Sequence, residues 1–112
     1  MTFQHLILIV EDDLNSRMLL RDVLGATGYA TMEAASAEDG LRLARTEKPA
    51  LILMDIRLPG MSGIEALQLL RAEPGIRTIP VVAVTASVMQ AQQALAMKAG
   101  FDALEHKPIK VG

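Results

Sequence analysis

Apolar residues cluster in short runs along the chain, and stretches with helical spacing separate one run from the next. Four runs have the length and continuity of strands in a parallel sheet that is buried on both faces: Leu6–Val10, Leu51–Met54, Val81–Val84 and Phe101–Leu104. Residues Tyr29–Ala34 alternate only weakly between polar and apolar, so we expect a fifth strand there, at an edge of the sheet.

The stretches between the strands predict four helices. The first runs from about Asn15 to Thr27 and ends before Gly28. Its apolar residues predict a broad buried face: Met18, Leu19, Leu20, Val23 and Leu24. Each of the other three begins with a serine cap and a capping partner three positions later. The second helix begins with Ser36 and Asp39 and ends near Glu47. The third begins with Ser62 and Glu65 and ends at Glu73, and the fourth begins with Ser87 and Gln90 and ends at Gly100.

Strands and helices therefore alternate through the whole chain. This alternation implies right-handed crossovers and a doubly wound α/β fold with a five-stranded parallel sheet, in one domain over residues 1–112. Only Pro108–Gly112 follow Lys107, which is too short for a fifth helix. Because helices cover both faces of a parallel sheet, we expect one face to be under-covered. Either residues are missing or another chain covers this face. In the second case we expect a homodimer.

Composition narrows the class of protein. A chain of 112 residues suits one domain, and a hydrophobic fraction of 51% is enough for a core. A net charge of −2 without a basic stretch argues against nucleic-acid binding, and the lack of cysteine excludes disulfides and thiolate metal sites. The apolar runs are shorter than a membrane span and no signal sequence precedes them, so we expect a cytoplasmic protein.

Reactive residues come at or just after the ends of the four apolar runs: Glu11 and Asp12, Asp55, Thr85, and Lys107. Because the carboxyl ends of parallel strands meet at one edge of a sheet, these side chains are expected to share a pocket. Three carboxylates suit a hard cation such as Mg²⁺, and an amine and a hydroxyl suit a phosphoryl group. The alternative is a buried ion-pair network in which Lys107 neutralises the acids. That network is costly compared with apolar packing, although the two arrangements are compatible.

Four sequence blocks resemble the signature of response-regulator receiver domains, in the right order and spacing: Ile9–Asp12, Met54–Gly63, Val84–Ala86 and Lys107–Pro108. The resemblance covers about Leu6 to Ile109. It implies a flavodoxin-like fold with strand order 2-1-3-4-5, here with the fifth helix absent or truncated.

The resemblance also implies a role for each site residue. Asp55 would accept a phosphoryl group from the phosphohistidine of a kinase or phosphotransfer protein. Asp12, Asp55 and the backbone carbonyl of Arg57 would bind Mg²⁺ directly, and Glu11 would act through water. Lys107 would contact the phosphoryl oxygens.

Signalling would depend on further positions of the same resemblance. Thr85 would move to hydrogen-bond the phosphoryl group, with Ala86 leaving room for it. The Lys107–Pro108 peptide resembles the family's cis bond, which would aim the amine into the pocket. Such a domain is a signalling protein rather than an enzyme, and it would pass its signal to a downstream protein.

The chain departs from the family pattern at two positions. Leu104 stands three residues before Lys107, where the family usually has an aromatic switch residue. Arg57, two residues after Asp55, would either clamp the phosphoryl group, slow the hydrolytic water, or be a solvated loop arginine. His5 and His106 are interpreted as ordinary strand-end residues.

Three functional hypotheses remain from the sequence. The leading one is a phosphorylation-dependent switch, either a stand-alone receiver or a fragment of a hybrid kinase or a longer regulator. The second is an interaction module on the same fold that is not phosphorylated. The third is an aspartyl-phosphate phosphatase, which Arg57 disfavours because such enzymes resemble a pattern with a second aspartate at that position.

Overall fold

Five parallel strands form one sheet within the part of the chain that the structure describes. The computed structural model describes residues 5–86 and 90–107. In chain order the strands are β1 (Leu6–Val10), β2 (Ala30–Ala34), β3 (Leu51–Asp55), β4 (Val81–Thr85) and β5 (Ala103–His106). They are arranged β2-β1-β3-β4-β5, and every neighbouring pair is parallel. The predicted fold class, strand order and edge position of β2 are confirmed.

Four helices lie in the described ranges: α1 (Leu14–Ala26), α2 (Ala37–Glu47), α3 (Gly63–Ala72) and α4 (Gln90–Ala99). The capping predictions for α2 and α3 are confirmed, because Ser36 and Ser62 accept hydrogen bonds from the third residue along, each at 3.2 Å. Asp13 caps α1, accepting from the Ser16 N–H at 2.8 Å. None of the described helices has the length and apolar character needed to cross a bilayer. Ser87, the predicted start of α4, lies outside the described residues.

The helices divide between the two faces of the sheet. On one face α2, α3 and α4 pack over Leu8, Ile52 and Ala83, all fully buried. On the other face α1 packs through Leu20 in a smaller cluster: Ile7, Ile9, Leu20, Leu53 and Val84. The larger core therefore lies beneath α2–α4, and it fixes the position of the strand ends.

The predicted broad buried face of α1 is wrong. Met18 and Leu19 are 38% and 43% exposed, whereas Leu20 is 4% exposed. Because successive helical residues are rotated by about 100°, the stripe of Leu20 and Leu24 that faces the sheet leaves Met18 and Leu19 pointing elsewhere. Helix α1 makes most of its sheet contacts with β1 and β2, so a narrow stripe is sufficient.

The predicted position of the last strand is wrong by two residues. Strand β5 begins at Ala103 rather than Phe101, because the contacts of the Asp102 side chain fix the chain before the strand begins. Its carboxylate accepts the Val81 N–H at 2.8 Å and pairs with Arg71 at 2.8 Å. Phe101 is buried in the core without being part of the sheet. The strand instead continues to His106, which brings its end directly before Lys107.

The face that carries α1 is less covered over β3 and β4 than the opposite face. Leu51 and Val82 are only partly buried there, whereas Ile52 and Ala83 on the α2–α4 side are completely buried. Within residues 5–86 and 90–107, α1 is the one helix that contributes to this cluster. The expected fifth helix concerns Pro108–Gly112, which lie outside the described residues.

Candidate functional site

Three buried polar side chains lie together where the strands end. Glu11 directly follows β1, Asp55 ends β3 and Thr85 ends β4, and their exposures are 1%, 6% and 3%. They are the buried polar residues of the part of the chain that the structure describes. Buried polar groups need compensating partners, so their clustering at one edge indicates a site rather than a packing accident.

Lys107 supplies the positive charge of this cluster. Its Nζ donates a hydrogen bond to Oδ2 of Asp55 at 2.9 Å and lies 2.6 Å from Oε2 of Glu11. Its backbone N–H donates to the carbonyl of Thr85 at 2.8 Å, which places the lysine beside β4. Burial disfavours the charged amine, but the contacts with Glu11 and Asp55 outweigh burial and raise the pKa of Lys107. The lysine therefore stays protonated.

Glu11 is held by the loop that it opens. Its Oε1 accepts the Asp13 N–H at 3.1 Å, and its carbonyl accepts a hydrogen bond from Arg17 of α1 at 2.9 Å. Burial raises the pKa of Glu11, and the Asp55 charge adds to this rise, while Lys107 and the Asp13 N–H oppose it. Oε2 approaches Lys107 closely but outside hydrogen-bonding geometry. A buried carboxylate oxygen thus retains unused acceptor capacity.

The acidic residues meet the requirements of a hard divalent cation. Oxygen atoms of Glu11, Asp12 and Asp55 all lie within 4.8 Å of one another. Asp12 is exposed, whereas Glu11 and Asp55 are buried, so the cluster opens to solvent on one side. Three carboxylates outnumber the one nearby ammonium, and oxygen is the donor that Mg²⁺ prefers. The residues present therefore fit this ion.

A pocket of about 220 Å³ opens beside Asp55. Its lining contains an acid, two cations, a hydroxyl and a small residue: Asp55, Arg57, Thr85, Ala86 and Lys107. The backbone N–H of Arg57 donates to Oδ1 of Asp55 at 3.1 Å, so both carboxylate oxygens are oriented by the protein. The pocket can take a small anionic group and surround it with positive charge.

The structure brings together every residue that the sequence nominated for the site. It also reveals two positioning residues that the sequence reasoning missed, Arg17 at the Glu11 carbonyl and Gly63 against the Asp55 backbone. A glycine directly after a helix cap was the only signal for Gly63, and nothing in the sequence indicated the contact of Arg17 with the Glu11 carbonyl six residues earlier. The proposed cis peptide before Pro108 lies outside the described residues.

A comparison with protein families identifies the family of this chain. The family model described as "Response regulator receiver domain" matches residues 7–112. The chain belongs to this family. As a receiver domain it is part of two-component response-regulator signalling, in which such domains interact with histidine kinases and downstream targets.

Curated relatives of this receiver domain include the polar-differentiation response regulator DivK of Brucella ovis. The two sequences are 42% identical over 105 residues, which cover 94% of this chain and 85% of the relative. The DivK protein of Brucella anthropi is 41% identical over the same length and coverage. The resemblance thus extends over nearly the whole receiver domain.

Solved structures share the fold. A response regulator from Chloroflexus aurantiacus superimposes with a TM-score of 0.92 at 30% identity, covering 96% of this chain and 88% of that one. The receiver domain of a sensor histidine kinase from Pseudomonas aeruginosa gives a TM-score of 0.89 with the same identity and coverage. In that structure a magnesium ion is coordinated in the active site cleft.

Proposed function

We propose that this receiver domain is a phosphorylation-dependent switch of a two-component phosphorelay, with residues 1–112 acting as one domain. The observation that carries the proposal is the position of Asp55, a buried carboxylate facing a pocket in which Lys107 lies 2.9 Å away. A carboxylate in this setting has a cation to stabilise incoming negative charge and space for a phosphoryl group.

Asp55 is the phosphoacceptor in this proposal. One carboxylate oxygen attacks phosphorus on the phosphohistidine of a histidine kinase or phosphotransfer protein. A new P–O bond forms as the P–N bond breaks, and the electron pair returns to the imidazole nitrogen of the donor. The Arg57 N–H and the Lys107 ammonium each contact an Asp55 oxygen, so the nucleophile is oriented before the donor arrives.

The other residues would bind and neutralise the transferred group. Lys107 would exchange part of its contact with Asp55 for the phosphoryl oxygens, and Thr85, with Ala86 beside it in the pocket lining, would donate its hydroxyl. Glu11, Asp12, Asp55 and the backbone carbonyl of Arg57 would hold Mg²⁺, which when bound supplies positive charge to the phosphoryl oxygens. The acidic cluster and the magnesium ion in the Pseudomonas structure support this assignment.

The phosphorylated domain would act through a downstream protein target and not as an enzyme on a separate substrate. Phosphorylation adds between one and two negative charges to a pocket already lined by two cations, which is enough to rearrange its rim. A cytoplasmic location belongs to the same proposal.

Phosphorylation by a small donor tests the proposal. The protein is incubated with acetyl phosphate, with and without Mg²⁺, and its intact mass is measured. We expect one phosphoryl group that requires Mg²⁺ and is absent from Asp55→Asn, whereas the control Asp22→Asn, at an exposed acid on α1, behaves as wild type. An unmodified wild-type protein would favour the interaction module, and steady turnover of a simple phosphate ester would favour the phosphatase.

We also propose a homodimer through the face that carries α1. The observation that favours it is the partial exposure of Leu51 and Val82 on this face, opposite the fully buried Ile52 and Ala83. Light scattering across a concentration series is expected to show a dimer that Val82→Lys weakens, while the exposed-site control Lys98→Ala leaves it intact. A monomer at the highest concentration would contradict this proposal without affecting the switch.

A further inference from the structure

The side chain of Arg57 connects the phosphoacceptor pocket to α4. It lines the pocket beside Asp55, and its Nη2 donates a hydrogen bond to Oε1 of Gln92 at 3.3 Å. The two residues are 35 positions apart in the sequence, so this bond joins the loop after β3 to a different layer of the fold. One guanidinium thus lies between the proposed reaction centre and a helix.

The first turns of α4 are held at the rim of the pocket from two directions. Gln92 contacts Arg57, and the next residue, Gln93, lies 2.6 Å from Nε2 of His106 at the end of β5. The remainder of the helix is weakly anchored, because Ala96 is its one buried residue and Leu95 and Met97 are 60% and 47% exposed. Few buried contacts mean that the polar bonds at the rim determine much of the local stability of α4.

Phosphorylation would change the best partner of Arg57. Gln92 offers a neutral amide oxygen in an exposed contact, whereas a phosphoryl group on Asp55 would offer charged oxygens inside the same pocket. The guanidinium is charged in both contacts, but only the phosphoryl group adds an opposite charge and can accept from two N–H groups of the arginine at once. The phosphoryl group therefore wins the competition for the guanidinium.

The contact between Arg57 and Gln92 would also take the place of the aromatic switch residue that this chain lacks. Leu104 on β5, where the family usually has an aromatic residue, packs partly buried against the main core and has no polar atom in its side chain. It cannot exchange hydrogen bonds with the pocket. Arg57 has that capacity and already contacts α4.

We propose that Arg57 is a positioning residue that exchanges Gln92 for the phosphoryl group, so that phosphorylation of Asp55 releases the first turns of α4. This rests on the proposed function, since it needs a phosphoryl group on Asp55. The output of the switch is then a change in α4, which moves the exposed side chains of Leu95 and Met97 to new positions on the surface.

Hydrogen–deuterium exchange of the α4 amides tests the release. Wild type, Gln92→Ala and the control Gln90→Ala are compared before and after treatment with acetyl phosphate and Mg²⁺, and intact mass gives the phosphorylated fraction of each sample. Gln90 carries the same side chain in the first turn and is exposed. Wild type and Gln90→Ala are expected to exchange at least about threefold faster when phosphorylated, because a hydrogen bond of ordinary strength is lost. Gln92→Ala is expected to be fast in both states.

Gln92→Glu separates the proposed exchange from a general effect on the helix. The new carboxylate would form an ion pair with Arg57, so α4 should exchange more slowly before phosphorylation and accelerate less after it. Most of this effect requires the guanidinium, so it should shrink in an Arg57→Ala background. There, adding Gln92→Glu should slow the exchange of α4 only by the smaller amount that a carboxylate in the first turn of a helix contributes by itself. A slowing of equal size without the arginine would overturn the proposed exchange.

The outcomes distinguish this proposal from the one on which it rests. A wild-type protein that takes no phosphoryl group overturns both. Phosphorylated wild type with unchanged exchange in α4, or Gln92→Ala with the full wild-type increase, overturns the Arg57 exchange alone and leaves Asp55 as the phosphoacceptor.

Discussion

Gly63 lies so close to the end of β3 that a Cβ atom at this position would overlap the carbonyl oxygen of Asp55. The same Cβ would lie 2.9 Å from Cα of Ile56. The Gly63 N–H donates to the Ile56 carbonyl at 2.9 Å, so the first residue of α3 lies against the backbone at the end of β3. The lack of a side chain at Gly63 therefore allows α3 to lie close to the backbone of Asp55.

Gly63→Ala is expected to destabilise the protein by about 1–3 kcal/mol, because the neighbouring atoms are backbone and cannot move without shifting Asp55. Phosphorylation by acetyl phosphate should slow as well. Urea unfolding and the rate of mass increase measure the two effects. Gly75→Ala is the matched control, since a Cβ there meets nothing within 4 Å. Equal stability of the two variants would contradict the packing argument.

The sequence predicted where the acidic side chains lie better than it predicted the bounds of the last strand. Leu6–Val10 and Leu51–Asp55 are continuous apolar runs that end in or before acids, so their burial and the position of the acids follow from one pattern. The edge strand β5 lacks this signal, because its last residues Glu105 and His106 are exposed while Phe101 is buried outside the strand. An apolar run there marked the core and not the strand.

Contacts that depend on how a helix lies against the sheet could not be predicted from local pattern. The bond from Arg17 to the Glu11 carbonyl and the bond from Arg57 to Gln92 depend on how α1 and α4 lie against the sheet. Helical spacing predicted a broad buried face for α1, but it could not show that a stripe along Leu20 would be enough and leave Met18 exposed. Such details follow from tertiary packing.

Gly25 and Gly28 at the end of α1 should respond in opposite ways to alanine. A Cβ at either position meets nothing within 4 Å, but only Gly28 has a positive φ, of 96°. Gly25→Ala is expected to stabilise by about 0.5–1 kcal/mol through helix propensity. Gly28→Ala should destabilise by about 1–2 kcal/mol, the cost of the left-handed conformation. Urea unfolding measures both, and a shift of the same sign in the two variants would be inconsistent with this account.

Mg²⁺ is expected to raise the melting temperature if the acidic cluster binds it. At about 100 times the dissociation constant, binding to the folded state alone would add about 2.7 kcal/mol. Asp12→Asn should lose most of this gain, because it removes one of the three carboxylates. The exposed-acid control Asp22→Asn should keep it, with KCl matching the ionic strength. Thermal unfolding at several MgCl₂ concentrations makes the comparison, and an equal response of Asp12→Asn would remove Asp12 from the site.

Lys107→Met should reveal the charge balance of the site in the absence of metal. The variant leaves Glu11 and Asp55 without their shared ammonium, so we expect a loss of about 1–3 kcal/mol at neutral pH. Burial already raises the pKa of Glu11 above its usual 4.5, and removing the lysine contact that lowers it would raise the pKa further. Because the pKa of Glu11 is higher in the folded protein than its usual 4.5, the folded state loses stability as the pH rises from 4.5 through the folded-state pKa.

The difference in unfolding free energy between wild type and Lys107→Met should therefore be small near pH 4.5 and grow towards neutral pH. Urea unfolding with EDTA at a series of pH values measures it. Lys98→Met, at an exposed position on α4, serves as the matched control and should show a difference that does not change with pH. A constant deficit in Lys107→Met would mean that the lysine contributes packing of its aliphatic chain instead of compensating the buried carboxylates.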